Sequence, residues 1–494
     1  MNQKYTNSIG VLVPEVMLPP KGTDMMKWAV VACDQFTSQK EYWEEARKII
    51  GDAPSTLDLI LPEAYLGSPD EPERIAAIKA NMKEYLKKGI LQKQPEGFVL
   101  IERTANGNTR HGLVMALDLE EYDYSKGSGT LIRATEGTIV SRIPPRLKIR
   151  EGAAVELPHI LVLIDDPERT VIEPLVKKAA ELPCLYDTDL MLGGGHISGR
   201  LVAGEGDVVN VLSALTKLAD KAAFEKKYGD HPVLLFAMGD GNHSLATAKA
   251  NWEKIKATLP ECERADHPAR YALIELNNVH DEGIIFEPIH RVVFGVEGKV
   301  FLDALQKKLA EQNGAVQVLP GAQKAEGGEK HVIPFFYGDT EGTLVVSEPA
   351  AQLAVGTLQN AIDAVLKELG GEVDYIHGDD VVKDLSKKPN AIGFLLPTMQ
   401  KGELFSTVVF DGALPRKTFS MGEAAEKRYY LEARLLEKQP DPKRTGTGSP
   451  RSFFLRRNSE RNGGAVPFAW ERGYWDKKLF QLIAFSGYTV PLKP

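Results

Sequence analysis

Apolar residues along the chain alternate between short continuous runs and stripes of helical period, which predicts a mixed α/β protein. Ile9–Val13, Trp28–Cys33, His159–Asp165 and Pro232–Met238 read as buried strands, the third bounded by Pro158 and Pro167. Residues 98–119 read as two strands around the turn Asn106-Gly107-Asn108. Gln39–Ile50 and Asp70–Leu86 read as helices; the second has Pro72 near its start, a stripe of Ile75, Ile78, Met82 and Leu86, and Gly89 as its stop. Further helices are expected over Glu168–Leu182, Val208–Lys227, Ser244–Ala257, Val300–Gln312, Ala350–Leu369 and Gly422–Leu436. Further strands are expected over Leu185–Leu192, Ile197–Ala203, Tyr271–Leu276, Ile284–Phe294, Ala391–Pro397 and Ser406–Asp411. The expected divisions are an N-terminal α/β portion (1–130), a core (131–312), a C-terminal α/β subdomain (313–436) and a basic, poorly ordered tail (437–494).

Composition narrows the class. The chain has 494 residues, 43% hydrophobic and 26% charged, without an apolar run long enough for a membrane span. Three scattered cysteines (Cys33, Cys184, Cys262) and a start without secretory features fit a reducing cytoplasm. The formal charge is −8, but residues 440–494 carry ten Lys/Arg against four Asp/Glu, so this +6 tail leaves −14 on the remainder. An acidic body argues against nucleic acid as partner. The tail reads as a solvated extension, with a nucleic-acid arm as the alternative. Truncation after Leu436 is expected to leave folding intact.

The segment Met238-Gly-Asp-Gly-Asn-His-Ser-Leu-Ala-Thr-Ala-Lys249 follows one buried run and opens a helical pattern. A helix start carries unpaired N–H groups and partial positive charge, and glycines bring backbone close to a ligand. Gly239, Asp240, Gly241, Asn242, His243, Ser244 and Thr247 therefore read as an anion cradle. A plain Asp-Gly turn with Ser244 as helix cap is the alternative. No Walker loop, Gly-x-Ser-x-Gly elbow or zinc spacing occurs, and no protein metal site is read. Arg133, Glu136, Arg142 and Arg146 fall in one short span: the arginines as phosphate clamps with Glu136 as base or metal ligand, or all as a surface ladder of charges. Asp34 follows a strand and is either a proton acceptor or a turn former. His290-Arg291 is either an anion grip or a satisfied strand end.

Gly239-Asp-Gly-Asn-His-Ser-x-Ala-Thr-Ala248 resembles the Asp-Gly-His-His-Arg-x-x-Thr-Ala signature of the domain-of-unknown-function 1015 family. Arg133-Ala-Thr-Glu136 with Ser141-Arg142, and Gly283 to Arg291, resemble two further stretches of it. Cys33-Asp34 and Pro415-Arg-Lys417 resemble shorter elements. The likeness spans residues 8–436. The signature also resembles that of the ParB/sulfiredoxin superfamily, which includes free-serine kinases. It implies a ParB/sulfiredoxin-like nucleotide-binding core with N- and C-terminal additions, ATP or ADP with Mg²⁺ as cofactors, and phosphoryl transfer to a free hydroxy amino acid. A non-catalytic nucleotide-binding regulator and a nucleotide hydrolase are the alternatives. Asp34, Glu136 and His243 are the catalytic candidates. The cradle residues with Arg133, Arg142, Arg146, His290 and Arg291 are the nucleotide-binding candidates. Asn242 stands where the signature has its first His, and Ser244 where it has Arg, which removes a two-pronged phosphate partner.

Overall fold

In the computed structural model the chain falls into two units, Met1–Lys438 and Gln439–Pro494. The structure describes residues 7–437, so the 437–494 tail, apart from its first residue, lies outside the described residues. The class is mixed α/β, as the alternating patterns indicate.

The first sheet has ten strands. Its main path runs Cys184–Leu190, Gly195–Val202, Phe98–Ala105, Asn108–Asp118, Tyr271–Asn278, Leu161–Ile164, Phe236–Asp240, Ile132–Arg133, Tyr122–Asp123, and Val11–Leu12 adds to Asn108–Asp118. Leu161–Ile164 runs parallel to Tyr271–Asn278 but antiparallel to Phe236–Asp240. These central strands are largely apolar because both faces are covered, with Glu275, Asn277 and Asn278 as buried polar exceptions. Trp252 and Leu245 of the helix Asn242–Thr258 pack on one face, and Val99, Ile101, Val114 and Ala116 point to a separate core on the other. Asn106 and Gly107 both have positive φ, 49° and 80°, as the two-residue hairpin turn requires.

A second, antiparallel sheet orders Val316–Pro320, Thr340–Ser347, Lys330–Tyr337, Ala391–Phe394, His290–Phe294 and Glu372–Ile376. Ile284–Phe294, expected as one strand, is two: Phe286–Pro288 pairs with Phe419–Met421, and His290–Phe294 joins the second sheet. The chain thus enters the second sheet at residue 290.

Four expectations are corrected. Ser406–Asp411 belongs to a helix, Glu403–Asp411, because a short apolar run fits either period and here packs as a helix against the second core. Glu168–Leu182 forms only the short helices Glu173–Val176 and Ala179–Glu181. Val208–Lys227 is two helices, Glu205–Leu218 and Lys221–Tyr228, the second capped by the Asp220 side chain on the Ala223 amide. Gly422–Leu436 is no helix: after a turn at Ala424–Glu426 it gives two short strands, Tyr429–Tyr430 against Val30–Val31 and Arg434–Leu435 against Val155–Glu156. Its aromatic pair and Leu431 are drawn into the core. Among the helices the pattern did not indicate are Asp379–Ser386 and Ile143–Arg150, the latter with Pro144 and Pro145 in its first turn, where a missing N–H costs nothing.

Candidate functional site

The strand Phe236–Asp240 ends at Gly241, whose φ of 80° is left-handed. A Cβ there would also lie 3.1 Å from the Ile160 backbone, so two constraints select glycine. The Gly241 carbonyl accepts from the Ser244 and Leu245 amides at 2.9 and 3.0 Å, which starts the helix Asn242–Thr258. No side chain caps this helix. The Asn242 and His243 amides precede its first internal bonds and carry the positive end of its dipole.

Asp240 is held at both oxygens: the Gly241 amide donates to Oδ1 at 2.8 Å and Lys427 Nζ lies 3.1 Å from Oδ2. The His243 ring accepts at Nε2 from the Ile139 amide, 3.3 Å away. Burial, then the charges of Arg146 and Arg142, hold its pKa below the ordinary histidine value, while Asp34 pulls weakly the other way. The ring is therefore neutral near pH 7 with its proton assigned to Nδ1. Asn242 Oδ1 and Thr138 Oγ1 are buried beside this turn without a hydrogen-bond partner.

The segment following Ile132–Arg133 threads along the turn. Thr135 Oγ1 donates to the Met238 carbonyl at 2.6 Å, and the Leu414 amide donates to the Thr135 carbonyl at 2.6 Å. Burial raises the Glu136 carboxyl above the usual range; Lys417 opposes this and Asp240 adds to it. Arg146 meets the Glu63 carboxylate at 2.6 Å, and donates to the Arg142 carbonyl at 2.8 Å.

The helix side that carries Ser244 and Thr247 lines a cleft of about 130 Å³. That is the order of the ~150 Å³ cavity known to take benzene. Ser244 Oγ lies 2.6 Å from His159 Nε2, and His159 Nδ1 lies 2.8 Å from the Tyr430 hydroxyl, which accepts from the Cys33 amide at 3.1 Å. Leu59, Leu61, Met82, Ile149 and Leu157 supply apolar walls.

The structure gathers Asp240 to Ser244, Thr247, Glu136, Arg142 and Arg146 around this turn, with Asp34 close enough for its charge to reach His243. Three expected members stand elsewhere. Arg133 is 5% exposed and donates to the Thr130, Pro232 and Val233 carbonyls at 2.6 to 3.0 Å, tying strand ends together instead of gripping phosphate. Arg291 is fully buried and spends its donors on Gln359 and the Ile289, Arg416 and Lys417 carbonyls. His290 accepts from the Leu396 amide and pairs with Asp379 at 3.0 Å. A buried guanidinium must satisfy its five donors, and here the backbone does so. The sequence reading missed His159, Tyr430, Glu63 and Lys427. A polar residue opening an apolar strand was the one available signal, for His159. Among the described residues no group of three or more His, Cys, Asp or Glu forms a metal cluster, and no helix is long and apolar enough to cross a membrane.

No curated protein matches the chain. Solved structures similar to it include a free serine kinase variant in complex with ADP, at 12% identity and a TM-score of 0.33, over 66% of this chain and 92% of that one. A free serine kinase in complex with AMP aligns at 10% identity and 0.32, over 66% and 91%. A conserved hypothetical protein from Pyrococcus furiosus aligns at 12% and 0.31, over 66% and 95%. The family model described as "protein of unknown function (DUF1015)" matches residues 17–368, most of the chain, and the protein belongs to that family.

Proposed function

We propose that the protein binds ATP or ADP by its phosphates at the start of the helix Asn242–Thr258 and transfers a phosphoryl group to the hydroxyl of a free hydroxy amino acid. The observation that carries this reading is the uncapped helix start beside an open cleft. Two backbone amides and a helix dipole at a left-handed glycine make an anion seat, and phosphoryl transfer needs positioning and charge balance more than covalent chemistry. Arg142 and Arg146 are near this seat, as are Lys427 on Asp240 and Lys417 beside Glu136. A neutral His243 with its proton on Nδ1 serves as a donor to phosphate better than as a base. Asp34 and Glu136 remain as acceptors for the substrate's hydroxyl proton, and the raised Glu136 pKa suits that task. A Mg²⁺ ion would need one or two carboxylates besides phosphate oxygens, and neutralises charge on the transferred group. Asp240 and Glu136, close enough to feel each other's charge, fit that need.

The test is incubation of the pure protein with ATP or ADP, with and without Mg²⁺, and a panel of free amino acids. Phosphorylated serine or a relative is expected by mass spectrometry; absence of product with either donor overturns the kinase reading. One observation favours a second reading, nucleotide binding without transfer. Ser244 replaces the signature's arginine, and Arg133 and Arg291 are committed to backbone carbonyls. A nucleotide-dependent rise in melting temperature without product would mark that case.

A further inference from the structure

The polar groups of the cleft have a direction. The Tyr430 oxygen already accepts from the Cys33 amide, and the acceptor within reach of its own proton is His159 Nδ1. A neutral imidazole that accepts at Nδ1 donates at Nε2, so His159 donates to Ser244 Oγ at 2.6 Å. That leaves the Ser244 hydroxyl proton free for a ligand. The chain Cys33 N–H, Tyr430, His159, Ser244 is then a row of donors all aimed one way, each polarising the next.

A second donor faces the same cleft. Arg150 lines it, and its Nε–H is buried without a partner. The carboxylates on the wall are spent: Glu63 on Arg146, and Glu156 on Arg150, Arg434 and the Leu273 amide. Two arginines thus face two glutamates on the wall, and the Arg150 Nε–H is the guanidinium donor left over. The Thr247 hydroxyl donates back to the His243 carbonyl at 2.7 Å, which leaves its oxygen as an acceptor. The remaining wall is hydrocarbon, from Leu59, Leu61, Met82, Ile149, Leu157 and Leu436.

We infer that this cleft binds a small hydroxy monocarboxylate with an apolar body. Its carboxylate accepts from Ser244 and Arg150, and its hydroxyl donates to Thr247. A buried donor without a partner is costly, and a carboxylate oxygen satisfies the Arg150 Nε–H with a charge-assisted bond. A hydrocarbon wall rewards an apolar side chain, which serine lacks. This ligand is distinct from the amino acid acceptor of the proposed function above, and its binding does not rest on that reading.

The experiment is calorimetric titration of the full-length protein with 2-hydroxy-4-methylpentanoate, its neutral amide, and serine. Saturable binding of the acid is expected, with the amide and serine each weaker by about tenfold or more. Ser244→Ala should lose about tenfold, and Ile149→Trp, which fills the cleft from a half-buried helix position, should abolish binding while the protein still melts cooperatively. Absence of saturable binding by the acid overturns the inference. So does serine or the amide binding as tightly as the acid, or an unchanged affinity in Ile149→Trp. ADP titrated into the same protein separates the two ideas: acid binding without ADP binding sinks the nucleotide reading alone, and ADP binding without acid binding sinks the cleft alone.

Discussion

Arg428 forms an ion pair with Glu275 in which each side chain is 1% exposed, although 153 residues separate them. The same guanidinium reaches Glu432 at 2.6 Å and the Pro158 carbonyl at 3.1 Å. Glu432 also accepts from the Tyr186 hydroxyl. This network fixes the segment that carries Tyr430 and Lys427 against the central strands, and so positions part of the cleft. Removing the arginine alone takes the principal cation from two buried carboxylates, leaving Glu275 with Arg110 at 3.5 Å and Glu432 with the Tyr186 hydroxyl. Arg428→Met is expected to lower the unfolding free energy by about 3–5 kcal/mol. Chemical denaturation measures this; a loss below about 1 kcal/mol would mean that the network is not dry.

Arg133 and Arg146 stand in one short stretch of sequence but should behave oppositely. Arg133→Ala removes bonds to three backbone carbonyls, so stability should fall by a few kcal/mol while nucleotide affinity of the folded protein holds. Arg146→Ala should weaken nucleotide binding by about tenfold, the effect of one charge-assisted contact, with a smaller stability loss. Paired melting and calorimetry on the two variants decide it. The reverse pattern would move the anion seat away from His243.

His331 is fully buried in the second sheet, where its Nδ1 meets Thr357 Oγ1 at 3.0 Å and its Nε2 has no partner. Burial lowers its pKa to about 4. The unfolded chain therefore takes up the proton first, and the neutral ring's contribution is complete above the ordinary value near 6.5 and lost as pH falls toward 4. The shift corresponds to roughly 3 kcal/mol. His331→Leu cannot titrate, so the stability gap between variant and wild type should change by about that amount between pH 6.5 and 4. A gap constant with pH would show that the ring is hydrated.

Truncation after Leu436 should leave a soluble protein with a cooperative melt. Truncation before Phe419 should not, because it deletes Arg428, Tyr429, Tyr430, Leu431 and Arg434, all at most 2% exposed. Circular dichroism melts of both chains check this; an unfolded product from the shorter cut at 436 would assign the tail a structural role.

Much of the fold was legible because local chemistry decides it. The left-handed turn at Asn106-Gly107, the helix Glu71–Lys87 with Pro72 in its first turn, and the strand, glycine and helix around Gly241 follow from backbone sterics and apolar period over a few residues. Gly422–Leu436 does not form the expected helix, because a segment that packs between other strands takes its conformation from them. Period alone could not tell Tyr429–Tyr430 and Arg434–Leu435 from a helix. The same limit governs the site. The sequence by itself determined a helix start preceded by two glycines; that no side chain caps it is a finding of the structure. Only the tertiary structure decided which polar groups remain unspent around it: Arg133, His290 and Arg291 were absorbed by backbone and structural partners, while His159 and Tyr430, far apart in sequence, were joined to Ser244. A motif specifies which donors and acceptors the chain owns; burial and long-range contact decide which of them are left for a ligand.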